Sequence, residues 1–138
     1  MNEYRVFDFA SLRNSHLKNG FWGRRTENYM EIIESQLSAL LCETNSARLL
    51  NFGIASGAIK GEFAGANWSD GDSYKFLEGC LYVYQNTGDP RVKEIVDKYI
   101  PWIVGSQEPD GYLNTQITLT NKGRWTNIMH HELYNIGH

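Results

Sequence analysis

The spacing of hydrophobic positions changes along the chain. Over residues 4–9 they alternate, with Tyr4 and Val6 on one side and Arg5, Phe7 and Phe9 on the other. A period of two predicts a short β-strand. A lone strand is not stable, and the remaining residues offer it no partner strand, so the expectation is that it pairs outside this chain. From Thr26 to about Glu43 the spacing lengthens. Tyr29, Ile32, Ile33, Leu37, Leu40 and Leu41 recur at helical intervals with Glu27, Glu31, Glu34 and Ser38 between them, the pattern of an amphipathic helix. Arg48 to about Ser56 reads as a second helix. Gly57, Gly61, Gly65 and Gly71, with Asn67 and Asp70, then predict a long irregular connection.

Asp72 to about Asn86 reads as the next helix, with Asp72 available as its N-cap. Tyr74, Leu77, Leu81 and Tyr84 share one face and Phe76, Cys80 and Val83 another, which predicts burial on both sides. Gly88-Asp89-Pro90 closes that helix and opens another, with Asp89 as N-cap and Pro90 at the first helical position. The new helix carries Val92, Ile95, Val96, Tyr99, Ile103 and Val104, and Pro101 inside it should kink it or remove one backbone bond. Residues 107–123 read as a second long loop, with a turn at Asp110-Gly111 that requires positive φ at Gly111. His131 to His138 reads as a helix that the chain leaves unfinished. The fold class expected is all-α, apart from the short N-terminal strand. Paired helices with long loops at one set of ends suit a toroid around a central pocket.

Composition narrows the partners. Hydrophobic residues make up 41% and charged residues 21% of the 138 positions, close to ordinary globular usage. The formal charge of −3 provides no basic surface for a phosphate backbone, so nucleic acid is not an expected partner. No window approaches a membrane span. Arg5, Asp8, Arg13 and Lys18 interrupt any signal-like core, so a cytoplasmic location is favoured. Cys42 and Cys80 lack metal-ligand spacing and read as buried thiols. Asn67-Trp68-Ser69 fits an N-glycosylation acceptor, but no export signal accompanies it.

Two constellations carry candidate chemistry. His131, Asn135 and His138 stand at i, i+4 and i+7, which on a helix places them on one face. Such a stripe offers donors and acceptors to sugar hydroxyls; the competing reading is a solvated face with one core histidine. His130, His131 and Glu132 lack the second histidine of a zinc-protease helix, so no metal site is expected in this chain. The second constellation is Trp68, Tyr112 and Trp125 among Asp70, Asp72, Asp110, Asn114 and Arg124. Aromatic faces beside hydrogen-bonding groups suit a carbohydrate site, although loop aromatics also serve as core anchors. Asp70 and Asp72 could be paired carboxylates for acid–base work, but residues i and i+2 in a loop have no fixed relative direction.

In their order, these segments resemble the β-L-arabinofuranosidases of glycoside hydrolase family 127. The resemblance is carried by Gly20-Phe21-Trp22, by Gly61-Glu62-Phe63 followed by Ser69-Asp70-Gly71-Asp72-Ser73-Tyr74-Lys75-Phe76-Leu77-Glu78, by Gln107-Glu108-Pro109-Asp110-Gly111-Tyr112-Leu113-Asn114-Thr115, and by Arg124-Trp125-Thr126 leading into His131-Glu132-Leu133-Tyr134 and Gly137-His138. It covers roughly residues 20–138. It implies an (α/α)6 barrel, with residues 21–138 forming its truncated N-terminal part and residues 1–20 a strand and lead-in to a β-sandwich outside the chain. It also implies a retaining mechanism with a zinc-bound cysteine nucleophile and a glutamate acid/base. Those groups are expected beyond residue 138, so no catalytic residue and no zinc is assigned to this chain; Cys42 and Cys80 match none of them. His131 matches the family's arabinofuranose-contacting histidine, and Asp72, Trp68, Asn135 and His138 are motif positions taken as candidate substrate contacts. A terminal arabinofuranoside of a plant-type glycan is the implied substrate, and self-association through uncovered helix faces is an expectation. The alternative function is a non-catalytic toroid that binds carbohydrate or protein.

Overall fold

The computed structural model describes residues 18–42 and 47–138. The strand expected over residues 4–9, and most of the lead-in, lie outside the described residues. Among those described, every regular element is helical: α1 (Gly20–Glu27), α2 (Tyr29–Leu40), α3 (Arg48–Ala55), α4 (Ser69–Thr87), α5 (Pro90–Gly105), α6 (Thr115–Thr120) and α7 (Glu132–Gly137), with a 3-10 turn over Ile128–His130.

The first helix begins at Gly20 rather than Thr26, and Asn28 divides it from α2. The apolar spacing that defines α2 begins only at Tyr29, which is why α1 is invisible to periodicity. Ile33 and Leu40 of α2 enter the core with Leu49 and Phe52 of α3, Leu77 and Cys80 of α4, and Val92, Val96 and Tyr99 of α5. The α4–α5 hairpin forms as its sequence dictates. Asp89 Oδ1 accepts the Arg91 N–H at 2.9 Å, Pro90 occupies the first turn, and Asp89 Oδ2 also accepts the Tyr29 hydroxyl at 2.7 Å, tying α2 to the hairpin. α5 continues through Pro101 as one element, so the proline's effect is confined to the bond it cannot donate.

α4 packs against α2, α3, α5 and α7, and it starts earlier than expected. Ser69, Asp70 and Gly71 belong to its first turn, and Trp68 stands at the N-cap position, so Asp72 is not the cap. The second face of α4 is only half covered. Phe76, Cys80 and Val83 line a groove of about 790 Å³ shared with Tyr29, Ile32 and Ile33, and Leu81 and Tyr82 are exposed. The predicted burial on both sides is therefore met only in part on each face: Leu77 and Cys80 are buried, whereas Leu81 of the Leu77 face is exposed. The loop predicted over residues 107–123 contains α6, capped by Asn114, whose Oδ1 accepts the Ile117 N–H at 3.0 Å. The predicted turn is present, with Gly111 at φ +87° and its N–H donating to the Glu108 carbonyl at 2.8 Å.

Candidate sugar-binding face

The loop between α3 and α4 is held from below by one buried side chain. Asn51 is fully buried on α3; its Nδ2 donates to the Ala64 carbonyl at 2.9 Å and its Oδ1 accepts the Ala64 N–H at 3.2 Å. The loop then delivers Trp68 to the start of α4, where the indole is 47% exposed. Beside it lies His131, with ring centroids 5.3 Å apart in an edge-on arrangement. Tyr134 continues the row, 6.4 Å from His131 and 4.7 Å from His138, and the Lys75 ammonium sits 4.9 Å from the Tyr134 centroid. An exposed apolar ring, imidazoles and a cation along one rim can stack on and hydrogen-bond a sugar.

The rim depends on a close crossing of α4 and α7. Gly71 presents no side chain there: a Cβ would stand 3.0 Å from Tyr134 Cε1 and 3.2 Å from His138 Cδ2. Its N–H donates to Asn135 Oδ1 at 3.3 Å. Gly71 therefore works inside a helix, where the residue normally weakens structure, because the Tyr134 and His138 rings press against its backbone.

His131 precedes α7 rather than belonging to it. Its φ of +55° is left-handed, which is uncommon for a residue with a Cβ, and its carbonyl accepts the Asn135 N–H at 2.9 Å. The imidazole Nδ1 lies 2.7 Å from the Met129 carbonyl oxygen. A carbonyl only accepts, so Nδ1 carries the proton of the neutral ring and Nε2 keeps a lone pair.

The three-residue stripe read from the sequence is corrected by this geometry. His131 and His138 flank Tyr134 on the exposed rim, whereas Asn135 is 1% exposed and donates to the Asn67 carbonyl at 2.8 Å. With both amide atoms committed, Asn135 supports the rim from beneath instead of facing a ligand. Asp72 forms an ion pair with Arg48 at 2.9 Å. Asp70 is buried and accepts the Thr115 N–H at 2.7 Å and the Thr115 hydroxyl at 2.6 Å. Burial raises its carboxyl above the ordinary range, against the two Thr115 donors that lower it. The two aspartates thus serve separate partners and form no acid–base pair.

The second aromatic constellation divides. Trp68 joins the rim, while Tyr112 is buried as an anchor, 5.8 Å edge-on to Trp125 and beneath the Arg124 guanidinium at 4.0 Å. Arg124 also pairs with Glu108 and, at 2.5 Å, with Asp110, whose carboxyl it holds below the ordinary range. In the sequence Glu132 has no role beyond an incomplete zinc-protease motif. It is 4% exposed, its Oε2 accepts the Tyr112 hydroxyl, and its Oε1 accepts the Trp125 N–H at 2.7 Å. An acidic residue in the first turn of a helix was the available signal.

No group of three or more His, Cys, Asp or Glu able to hold a metal exists among the described residues. Burial pushes the Cys80 thiol up to about 11, the reverse of a metal-held thiolate. These residues do not fit a zinc site.

The helical scaffold, with its aromatic and imidazole rim beside the loops, is part of a helical toroid. Residues 14–138 match the catalytic domain of the GH127 β-L-arabinofuranosidases, and the chain belongs to that family. It is 28% identical over 148 residues to a non-reducing end β-L-arabinofuranosidase of Bifidobacterium longum subsp. longum, covering 91% of this chain and 22% of that relative. A solved GH127 β-L-arabinofuranosidase from Geobacillus stearothermophilus T6 superposes with a TM-score of 0.80 at 38% identity, over 88% of this chain and 20% of that one. A second solved GH127 β-arabinofuranosidase gives a TM-score of 0.76 at 30% identity, over 92% of this chain and 22% of that one. The chain therefore spans about a fifth of the length of these relatives.

Proposed function

We propose that this segment forms one wall of the sugar pocket in a protein that hydrolyses terminal β-L-arabinofuranosides of plant-type glycans, with retention at the anomeric carbon. The observation that carries the reading is the exposed Trp68 ring set edge-on against His131 at 5.3 Å, in a chain of this family. Trp68 offers an apolar face to the furanose ring, and His131 Nε2 accepts a hydrogen bond from a sugar hydroxyl. His138 flanks the same rim, and Asp72 lies one helical turn further along α4. The bond-breaking groups, namely the cysteine nucleophile with its zinc and the glutamate acid/base, belong in this reading to polypeptide beyond residue 138. The segment contributes binding and orientation, which convert substrate binding into a correctly placed reacting centre.

Turnover by the whole protein tests this directly. An aryl β-L-arabinofuranoside should be cleaved in preference to its α-anomer and to aryl pyranosides, and proton NMR of the first-formed sugar should show the β-anomer. Inversion would remove the retaining mechanism, and a preference for another glycoside would remove the substrate assignment.

A further inference from the structure

The Met129 carbonyl is shared. It receives His131 Nδ1 at 2.7 Å and the Asn67 side-chain Nδ2–H, also at 2.7 Å. Asn67 is itself fixed at two further atoms: Oδ1 accepts from Gln116 Nε2, and its backbone carbonyl accepts from Asn135 Nδ2 at 2.8 Å. Met129 lies in a three-residue 3-10 turn followed directly by the left-handed His131. Such a turn is too short to hold its own geometry, and a left-handed residue persists only where its surroundings determine it.

We propose that Asn67 is a positioning residue for His131. By holding the Met129 carbonyl in place, Asn67 fixes the plane of the imidazole and its Nδ1-protonated form, so that Nε2 presents a lone pair to a substrate hydroxyl donor. This rests on the reading of His131 as a sugar contact. Asn67 has no role against the sugar itself, because both atoms of its amide are engaged within the protein. The same engagement bears on the Asn67-Trp68-Ser69 acceptor pattern: the nitrogen that would carry a glycan is the one bonded to Met129.

Without Asn67, Met129 keeps the imidazole as its only polar side-chain partner, the turn relaxes, and the ring samples both tautomers. A ring protonated at Nε2 offers a donor where the substrate needs an acceptor. Asn67→Asp is nearly isosteric and retains the acceptor for Gln116, but places a carboxylate oxygen against the Met129 carbonyl. Asn67→Ala removes the clamp without that repulsion and serves if the aspartate variant folds poorly.

The test is a double-mutant cycle in the whole enzyme, with kcat/KM measured on an aryl β-L-arabinofuranoside, together with nitrogen NMR of histidine-labelled protein. Each Asn67 variant should lower kcat/KM on the order of tenfold, as expected for one misplaced hydrogen bond. In a His131→Ala background the same variants should change it by no more than about twofold, since a residue acting through another is silent once that other is gone. The His131 ring should show a protonated Nδ1 in the parent and a tautomer mixture in the variants. Equal losses in both backgrounds, or an unchanged ring spectrum in the variants, would overturn the proposal. If His131→Ala alone leaves kcat/KM intact, the sugar-contact reading fails, while the ring spectrum still decides whether Asn67 sets the tautomer.

Discussion

The Trp125 backbone N–H donates to Glu132 Oε1 across 2.7 Å, and this bond holds a residue whose φ is +60°. Through its other oxygen Glu132 takes the Tyr112 hydroxyl, so one buried carboxylate joins the 108–125 loop to the start of α7, next to His131. Glu132→Gln leaves one acceptor oxygen for two donors and turns an amide N–H toward one of them. The expected cost is about 1–3 kcal/mol, read as a lower denaturant midpoint in the whole protein. Unchanged stability would mean that the carboxylate does not hold the loop.

Gly71→Ala tests the α4–α7 crossing. Alanine is favoured over glycine within a helix by about 1 kcal/mol, but its Cβ would press on Tyr134 and His138. The two effects oppose each other in stability and not in function, because the rim must move to admit the methyl group. The expected result is a melting temperature within a few degrees of the parent, with kcat/KM reduced. A variant with full activity would show that the rim does not need this close approach.

The pH dependence of stability carries a definite sign at Asp70. Burial raises its carboxyl despite the Thr115 donors, so the fold binds this proton more tightly than the unfolded chain does. Its stabilisation is then fully present below the unfolded carboxylate value and is lost as pH rises through the folded value. Asp110, lowered by Arg124, has the opposite sign: its contribution is present above the unfolded value and lost as pH falls through the folded one. The stability of the parent minus that of Asp70→Asn should therefore fall as pH rises from acid toward neutrality. Denaturant titrations across that range would contradict this if the difference grew with pH.

The isolated 138-residue chain should associate and should not cleave aryl arabinofuranosides. Ile128 is 89%, Leu133 75% and Val104 66% exposed, and apolar surface left in water forgoes about 25 cal/mol per Å². Light scattering and calorimetry check the first claim and a turnover assay the second. A monomer with a sharp cooperative melt, or turnover by the chain alone, would contradict them.

Local chemistry was the legible part of the fold. Asp89 and Pro90 announce the start of α5, and Gly111 announces its turn, because a cap and a left-handed turn are decided by adjacent residues. The start of α4 was not legible. Ser69, Asp70 and Gly71 have loop-like composition, and what makes them helical and buried is Thr115 and Asn135, distant in sequence. The site divides in the same way. Trp68 and His131 could be named as candidates from residue type and motif, but their contact depends on the Gly71 crossing. Asn135 was placed beside His131 by helical periodicity, which fails once His131 lies outside the helix. Asn67 and Glu132 carried only weak signals, since their importance comes from hydrogen bonds to backbone atoms that no sequence pattern specifies.

The central claim is that the Trp68–His131 rim binds the sugar, and His131→Ala in the whole enzyme tests it most directly. Loss of the Nε2 acceptor should cost about 1–3 kcal/mol of transition-state stabilisation, a fall in kcat/KM on the order of tenfold to a hundredfold, with the melting temperature preserved. His130→Ala, one residue earlier in the 3-10 turn, is the control and should retain most of its activity. Full activity in His131→Ala, or a loss that appears only together with unfolding, would contradict the account.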